Sequence, residues 1–515
     1  MRFLACLVCS LFLSFVSLLS AGLAAGPIEI GSRLELMVDD YLVEKFDGAR
    51  LEMHRPTPRE VAIVHDEPWE GSGCGYHSVF QDGDLYRMYH KAWHLDFSTG
   101  RLSTSAHPLY TCYAESDDGI HWRKPKLGLH EFEGSKDNNI VIVSDQIGEA
   151  KPCAGHPAVF KDANPDCPAD ARYKALLRSR GPRGLLAFKS ADGIHWSLLT
   201  EKPVITEGAF DSQNLAFWDP VRKEYRAYWR IFTAGVTTEK VWKPTGRRAI
   251  RTATSKDFLN WGPHADLTYV DSPPEQLYTN QIAPYARAPH IFIGFPSRYT
   301  ERGWSPSMEA LPELEHRRMR AKASQRYGTA ITDGLLMTSR DGKTFKRWGE
   351  AFIRPGPRSK DSWKYGDNYQ AWGIVETKSS IPGAPNELSV YATEGYWTGK
   401  GSQLRRHTLR IDGFVSVNAP LSGGQFVTKP LLFTGKELVM NFSTSAAGSV
   451  RVEIQDAVGK PIEGFALDDC PEIFGDSIEQ AVAWKGGADV SKLAGKPIRL
   501  RFVLSDADLY SFRFK

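Results

Sequence analysis

The sequence predicts an all-β fold: a five-bladed β-propeller followed by a small C-terminal β-sandwich. Three features carry that prediction. A seven-residue turn motif recurs along the chain, short strand-like runs come in sets of four around it, and the composition is that of many strands joined by turns. Trp, Tyr and Phe make up 11% of the 515 residues, and Gly and Pro are frequent.

The motif reads Ser116-Asp117-Asp118-Gly119-Ile120-His121-Trp122 and returns as Ser190-Ala191-Asp192-Gly193-Ile194-His195-Trp196. Weaker copies are Ser255-Lys256-Asp257-Phe258-Leu259-Asn260-Trp261 and Ser339-Arg340-Asp341-Gly342-Lys343-Thr344-Phe345. Ser and Asp side chains cap a tight turn, and Gly supplies backbone freedom. The aromatic ring that follows packs between neighbouring sheets. Each copy therefore marks the hairpin between the third and fourth strands of a repeated sheet.

Two further strands precede each copy. They are Tyr76 to Phe80 and Leu85 to His90, then His156 to Phe160 and Tyr173 to Leu177. The third pair is Asn214 to Trp218 and Glu224 to Trp229, and the fourth is Asn280 to Pro284 and His290 to Phe295. A fifth set lacks the serine but keeps the order: Tyr369 to Val375, Leu388 to Thr393, Leu404 to Ile411 and Phe414 to Val417. Four strands repeated five times at such long periods describe a propeller over residues 26–420. Residues 421–515 alternate differently, as in Ser449 to Ile454 and Ile498 to Val503, which predicts the sandwich. The Glu-, Arg- and Ala-rich stretch from Ser305 to Ser324 is expected to be a helical insertion in the fourth blade, either over one mouth of the ring or simply solvated.

The first residues address the compartment. Met1-Arg2, an apolar run from Phe3 to about Leu19 and small residues to Ala25 have the layout of a signal peptide, residues 1–25. A secreted or periplasmic protein with no membrane span after cleavage is expected. The net charge of +3 implies no nucleic-acid partner. Of the later cysteines, Cys153 with Cys167 is the best local disulfide pair and Cys74 with Cys112 the second, leaving Cys470 over; connectivity stays open.

Together, the Ser-x-Asp-Gly-x-x-Trp turns, the five strand sets and the C-terminal region resemble the five-bladed propeller glycoside hydrolases, the arabinanase-like and invertase-like enzymes. The closer resemblance is to secreted bacterial proteins similar to the N-terminal domain of glycosyl hydrolase family 32. It rests on segments such as Leu36 to Leu42, Pro68-Trp69-Glu70-Gly71, Tyr113 to Trp122, Gly134 to Val141 and Asp506 to Phe512. The resemblance implies a carbohydrate substrate or ligand. The invertase-like catalytic triad does not carry over: the first blade offers Tyr76-His77-Ser78 and the second Gly155-His156-Pro157, without an acid. Trp218-Asp219-Pro220 falls at an outer turn.

Glycoside cleavage commonly uses two carboxyl groups in one pocket. Residues just before each innermost strand supply Glu70, Asp211, Glu275 and Asp367 from four blades, and these are the expected acid and base candidates. His77, His156, Asn214, Tyr278, Asn280, Gln281 and Asn368 are expected to bind the sugar. Arg180, Arg230 and Arg298 at second-strand ends would suit an anionic one. No cofactor is expected: His77, His90, His94 and His156 could gather near the axis, but no ligand spacing supports a cation. A glycoside hydrolase is the leading expectation and a non-catalytic carbohydrate-binding propeller the alternative. A lyase using His77 or His156 with a tyrosine is the third. Two facing carboxylates would favour the first, and a His-Tyr pair beside an Arg the third.

Overall fold

The computed structural model describes residues 26–515 apart from 97, 98, 100, 105, 239, 399 and 400. The signal-peptide expectation over residues 1–25 therefore lies outside the described residues. Strand accounts for 47% of the structure and helix for 6%, as the all-β expectation requires. No described helix is long and apolar enough to cross a membrane.

Five sheets follow one another along the sequence. The first joins Gly75–Asp82, Leu85–Ala92, Tyr110–Ser116 and Ile140–Val143 in sequential antiparallel order. The second joins Val159–Lys161, Tyr173–Arg180, Arg183–Ser190 and Ser197–Leu198, and the third joins Leu215–Asp219, Glu224–Thr237, Trp242–Ser255 and Ala265–Asp266. The fourth sheet, Ala283–Tyr285, Ala288–Gly294, Met337–Ser339 and Thr344–Arg347, takes Thr268–Val270 as a parallel fifth strand. A separate three-stranded sheet, Gln276–Leu277, Ser297–Glu301 and Ala330–Gly334, stands beside it.

The fifth sheet departs from the sequence expectation. Val375–Thr377, Glu387–Glu394 and Gln403–Arg410 pair as expected, but the outer strand is Thr57–Val64, from near the N-terminus. The run expected there continues instead as Val415–Ala419 into a ten-stranded sheet. That sheet is built mainly on Leu438–Asp456 and Ile498–Phe514, and it also takes up Ile28–Gly31, Glu35–Leu36, Val43–Asp47 and Arg50–Met53. Residues assigned by sequence to the propeller thus belong to the C-terminal sheet. Local alternation gives a strand its face but not its partner.

Packing follows the same order. One apolar cluster joins the first and second sheets through Tyr89, Tyr113, Leu177 and Leu186, and another joins the second, third and fourth through Leu176, Phe217, Trp229 and Phe292. Ile291 and Ile293 meet Leu388 and Val390 between the fourth and fifth. Val79, Met88, Val375 and Tyr391 bring the fifth against the first. A further core of Val452, Leu500, Phe502 and Phe512 belongs to the ten-stranded sheet.

The turn motifs fold as their residues require. In the first copy the Asp118 carboxylate accepts the N–H groups of Ile120 and His121 at 2.7 and 2.8 Å, and Ser116 Oγ accepts that of Gly119 at 2.9 Å. The Ser190, Ser255 and Ser339 copies repeat the pattern. Gly119, Gly193 and Gly342 adopt positive φ, and Phe258 holds the same place at φ 67°, tolerated because its ring is fully buried in the core. All five described cysteines are free, so neither disulfide pairing forms.

Candidate functional site

A cavity of about 690 Å³ opens beside the starts of the first strands of several sheets. Its floor and wall carry Tyr76, Lys91, Cys153, His156, Asp211 and Tyr278. Arg178, Arg180, Arg326, Tyr365, Tyr396 and Trp397 complete much of the rest. Each reaches the cavity for a local reason. Tyr76 lies on the first strand of the first sheet with positive φ, and Lys91 sits near the end of the second strand. His156 and Asp211 precede the first strands of the second and third sheets.

The most connected group is a line of three side chains. His156 Nε2 lies 3.0 Å from Asp211 Oδ1, and His156 Nδ1 lies 3.5 Å from Cys153 Sγ. Arg178 donates to the same Asp211 oxygen at 3.2 Å. Burial raises the Asp211 pKa, but His156, Arg230 and Arg178 outweigh it and hold the carboxyl well below its ordinary range. Burial disfavours a charged His156, yet Cys153 and Asp211 raise its pKa above the usual histidine value. Burial opposes Cys153 ionisation, while His156 brings the thiol down to about 7. Asp211 is thus held as an anion, and its contact with His156 favours the protonated ring.

Tyrosines and basic groups form the remaining wall. The Tyr76 ring stacks on His156 with centroids 5.4 Å apart, and Tyr369 stands between Tyr76 and Tyr278 at 6.1 and 5.4 Å. Burial raises the Tyr278 pKa, but the Arg230 guanidinium, 4.8 Å above its ring, outweighs burial, so the net shift is downward. The Tyr365 and Tyr278 hydroxyls lie 3.1 Å apart. Lys91 donates to Tyr396 at 3.0 Å and stands 4.5 Å over Tyr76; burial pushes its ammonium down to about 8. At the rim, Arg180 pairs with Asp145 at 3.1 Å. The helical insertion, Pro306–Glu309, Leu314–Ala323 and Gln325–Thr329, is not a plain solvated helix. Arg317 donates to the Trp363 and Ser362 carbonyls at 2.7 and 2.8 Å, and the last turn delivers Arg326 and Tyr327 to the cavity.

Of the expected site residues, Asp211, His156, Tyr278 and Arg180 line this cavity, and Arg230 stands directly behind Tyr278. The other three carboxylates do not join them. Glu70 is fully buried, between His65 Nδ1 at 3.2 Å and Lys124 Nζ at 2.6 Å. Glu275 is held by Arg347 and by Arg298 at 2.9 Å, and Arg298 also binds Asp333 at 2.9 Å; this group lines a separate cavity. Asp367 accepts the backbone N–H groups of Lys364 and Tyr396 at 3.0 Å each, and burial pushes its carboxyl up to about 7. The expected convergence of four carboxylates fails: Glu70 is enclosed by its partners, while Glu275 and Asp367 line two other cavities.

The amides likewise serve the interior. Gln281 donates to Gln213 at 2.6 Å and to the Gln370 carbonyl at 2.8 Å, while Gln213 donates to the Tyr76 and Pro157 carbonyls at 3.0 and 2.9 Å. Asn214 caps the Phe210 and Ser212 carbonyls, Asn280 accepts Ile282 N–H, and Asn368 donates to Thr332 O. This network satisfies backbone groups that the short innermost strands leave over. His77 is buried against His65, away from the cavity. Cys153, Tyr365, Tyr396 and Arg326 were not anticipated as site residues. Cys153, three residues before His156, carried a local signal; the others come from connections whose course the sequence does not show.

No family model matches this sequence, and no curated protein matches it. Solved structures do. A complex of BT0996 with RGII is 12% identical, with a TM-score of 0.41, and the match covers 70% of this protein and 92% of that one. An N-acetylgalactosamine deacetylase from F. plautii in complex with blood group B trisaccharide is 11% identical with a TM-score of 0.41, covering 70% and 96%. A structure from the GH130 family, described as mannoside phosphorylases that include hydrolases of β-1,2 mannosidic linkages in Candida mannan, is 14% identical with a TM-score of 0.37, covering 72% and 96%.

Proposed function

We propose that this protein is an exported, glycan-cleaving enzyme that takes an acidic sugar into the Asp211 cavity. In this reading the five sheets are blades of a propeller closed by Thr57–Val64, residues 421–515 brace it as a sandwich, and export follows signal cleavage near Ala25. One observation carries the reading. The cavity offers a carboxylate bonded to a histidine, tyrosines and several guanidinium groups, with Asp145 at the rim as the second carboxylate among its lining residues.

That set fits elimination better than hydrolysis by a carboxylate pair. A hydrolase needs a protonated acid beside its base, and Asp211 is held ionised. Elimination needs three things: neutralisation of the sugar carboxylate, a base for the proton α to it, and an acid for the leaving oxygen. Arg178 and Arg180 provide planar forks for the carboxylate. Tyr278, its pKa lowered by Arg230, serves as the base. His156, kept protonated by Asp211, gives its proton to the glycosidic oxygen as the β carbon–oxygen bond breaks and a carbon–carbon double bond forms.

The test is a panel of uronate-containing and neutral polysaccharides, followed in parallel by ultraviolet absorbance of unsaturated uronide and by reducing sugar. Absorbance rising with reducing ends, and lost in Tyr278→Phe and His156→Ala, is the expected result. Reducing ends without absorbance would replace elimination by hydrolysis and turn attention to Asp211 with Asp145. Binding with no cleavage on any substrate would leave a carbohydrate-binding protein and overturn the enzyme reading.

A further inference from the structure

Beneath the first sheet, away from the cavity, lies a closed group of metal-ligating side chains that the proposed chemistry does not use. One donor atom each from His65, Cys74 and His90 lies within 4.8 Å of the others, and all three residues are fully buried. His77 is the neighbouring ring: its Nε2 stands 2.9 Å from Nε2 of His65. The three imidazoles are packed with centroids 4.3 to 5.5 Å apart. Two of their nitrogens, His77 Nδ1 and His90 Nε2, have no hydrogen-bond partner, an arrangement that costs free energy in a dry interior unless something binds there. Glu70, also fully buried, stands 3.2 Å from His65 Nδ1 and 3.5 Å from His90 Nε2 and is braced by Lys124.

We propose that His65, Cys74 and His90, with His77 completing the set, bind a zinc-class divalent transition metal. The donor chemistry selects it. Imidazole nitrogen and thiolate sulfur suit zinc, whereas calcium and magnesium take oxygen. Bonds of about 2.0–2.3 Å bridge such a set after small side-chain rotations. Glu70 acts as the carboxylate that orients a ligating histidine.

The site's place in the sequence gives it a task. His65 directly follows Thr57–Val64, the outer strand of the fifth sheet, while Cys74 precedes the first strand of the first sheet and His90 lies on its second strand. A metal here clips the closing strand to the first sheet. With every ligand buried, the site is structural and has no position open to substrate.

Metal analysis of the mature protein, purified and then loaded with Zn²⁺ or Co²⁺, tests this. The expected result is one metal per protein molecule and, with Co²⁺, visible bands that include thiolate-to-cobalt charge transfer. The charge-transfer band disappears in Cys74→Ser, and Glu70→Gln weakens binding by about 10- to 100-fold. Should Cys74→Ser fail to fold, alkylation of Cys74 in the parent decides instead: the thiol is protected with metal and labelled after chelation. Folded protein that takes up no metal would overturn the proposal. So would cobalt bands unchanged in Cys74→Ser, or Cys74 found in a disulfide with Cys112.

Discussion

Asp211 concentrates the charge logic of the cavity. Its carboxylate bonds one His156 nitrogen while Cys153 stands at the other, and both raise the ring's pKa. Asp211→Asn is expected to lower glycan cleavage by about 10²- to 10⁴-fold. It should also move the limb of the pH–rate profile that reports His156 to lower pH, because removing the anion removes one of the two groups that raise that pKa. Steady-state rates across a pH series check both. Glu275→Gln is the matched control. Its carboxylate serves Arg298 and Arg347 outside the cavity, so turnover should stay at the parent level while stability falls. Both acids precede an innermost strand in the sequence. Which one reaches the cavity is decided by partners 55 residues away for Asp211 and 23 and 72 residues away for Glu275. Nothing within a few residues of either acid records them.

The turn motif is the element at which sequence and structure agree most closely. Each Asp caps two backbone N–H groups within three residues, an interaction set by local covalent geometry. Asp192→Ala should cost about 0.5–2 kcal/mol, the range of a lost cap. The motif also does something its sequence does not state. Tyr89 of the first sheet donates to the carbonyl of Gly193 in the second sheet's turn at 2.9 Å, and Tyr228 of the third donates to Gly342 in the fourth's, also at 2.9 Å. Tyr391 of the fifth sheet does the same to Gly119 of the first. The Gly193 carbonyl also accepts from the Trp196 indole at 3.0 Å, so Tyr89→Phe removes one of two hydrogen bonds and should cost about 0.5–1.5 kcal/mol by urea unfolding. The Tyr89→Phe and Asp192→Ala changes should be non-additive, since both act on one turn.

At the scale of the molecule, the N-terminal region is tied into the body of the fold. Glu35 is fully buried and bound by Arg340 at 2.8 Å, Arg33 at 2.5 Å and His290 at 3.3 Å. Burial raises its pKa, but His290, Arg340 and Arg33 outweigh it and lower the carboxyl to about 2 from 4.5. A depressed folded-state pKa means stability that is fully present above pH 4.5 and lost as pH falls toward 2. The amount is roughly 3 kcal/mol by linkage. Glu35→Gln should therefore destabilise the protein at about pH 7 and flatten the acid limb of its stability profile between those values. Denaturant melts at several pH values measure it. Asp367 works in the opposite sense. Its carboxyl, raised to about 7, costs stability progressively as pH rises from the ordinary aspartate range through 7.

The sequence by itself determined the local grammar: all-β content, the hairpins with their capped turns, and the alternation that gives most strands a buried face. These rest on interactions within a few residues, so a single sequence displays them. It also placed Asp211, His156 and Tyr278 just ahead of innermost strands, where the cavity forms. Only the tertiary structure decided the rest. It assigned Thr57–Val64 to the fifth sheet and Val415–Ala419 to the ten-stranded one, buried Glu70 among histidines, and brought Cys153, Arg326 and Tyr396 into the cavity. Strand partners and ion pairs are choices among many compatible faces and charges. They are settled by which combination buries apolar area while leaving no charge unpaired, a property of the whole molecule.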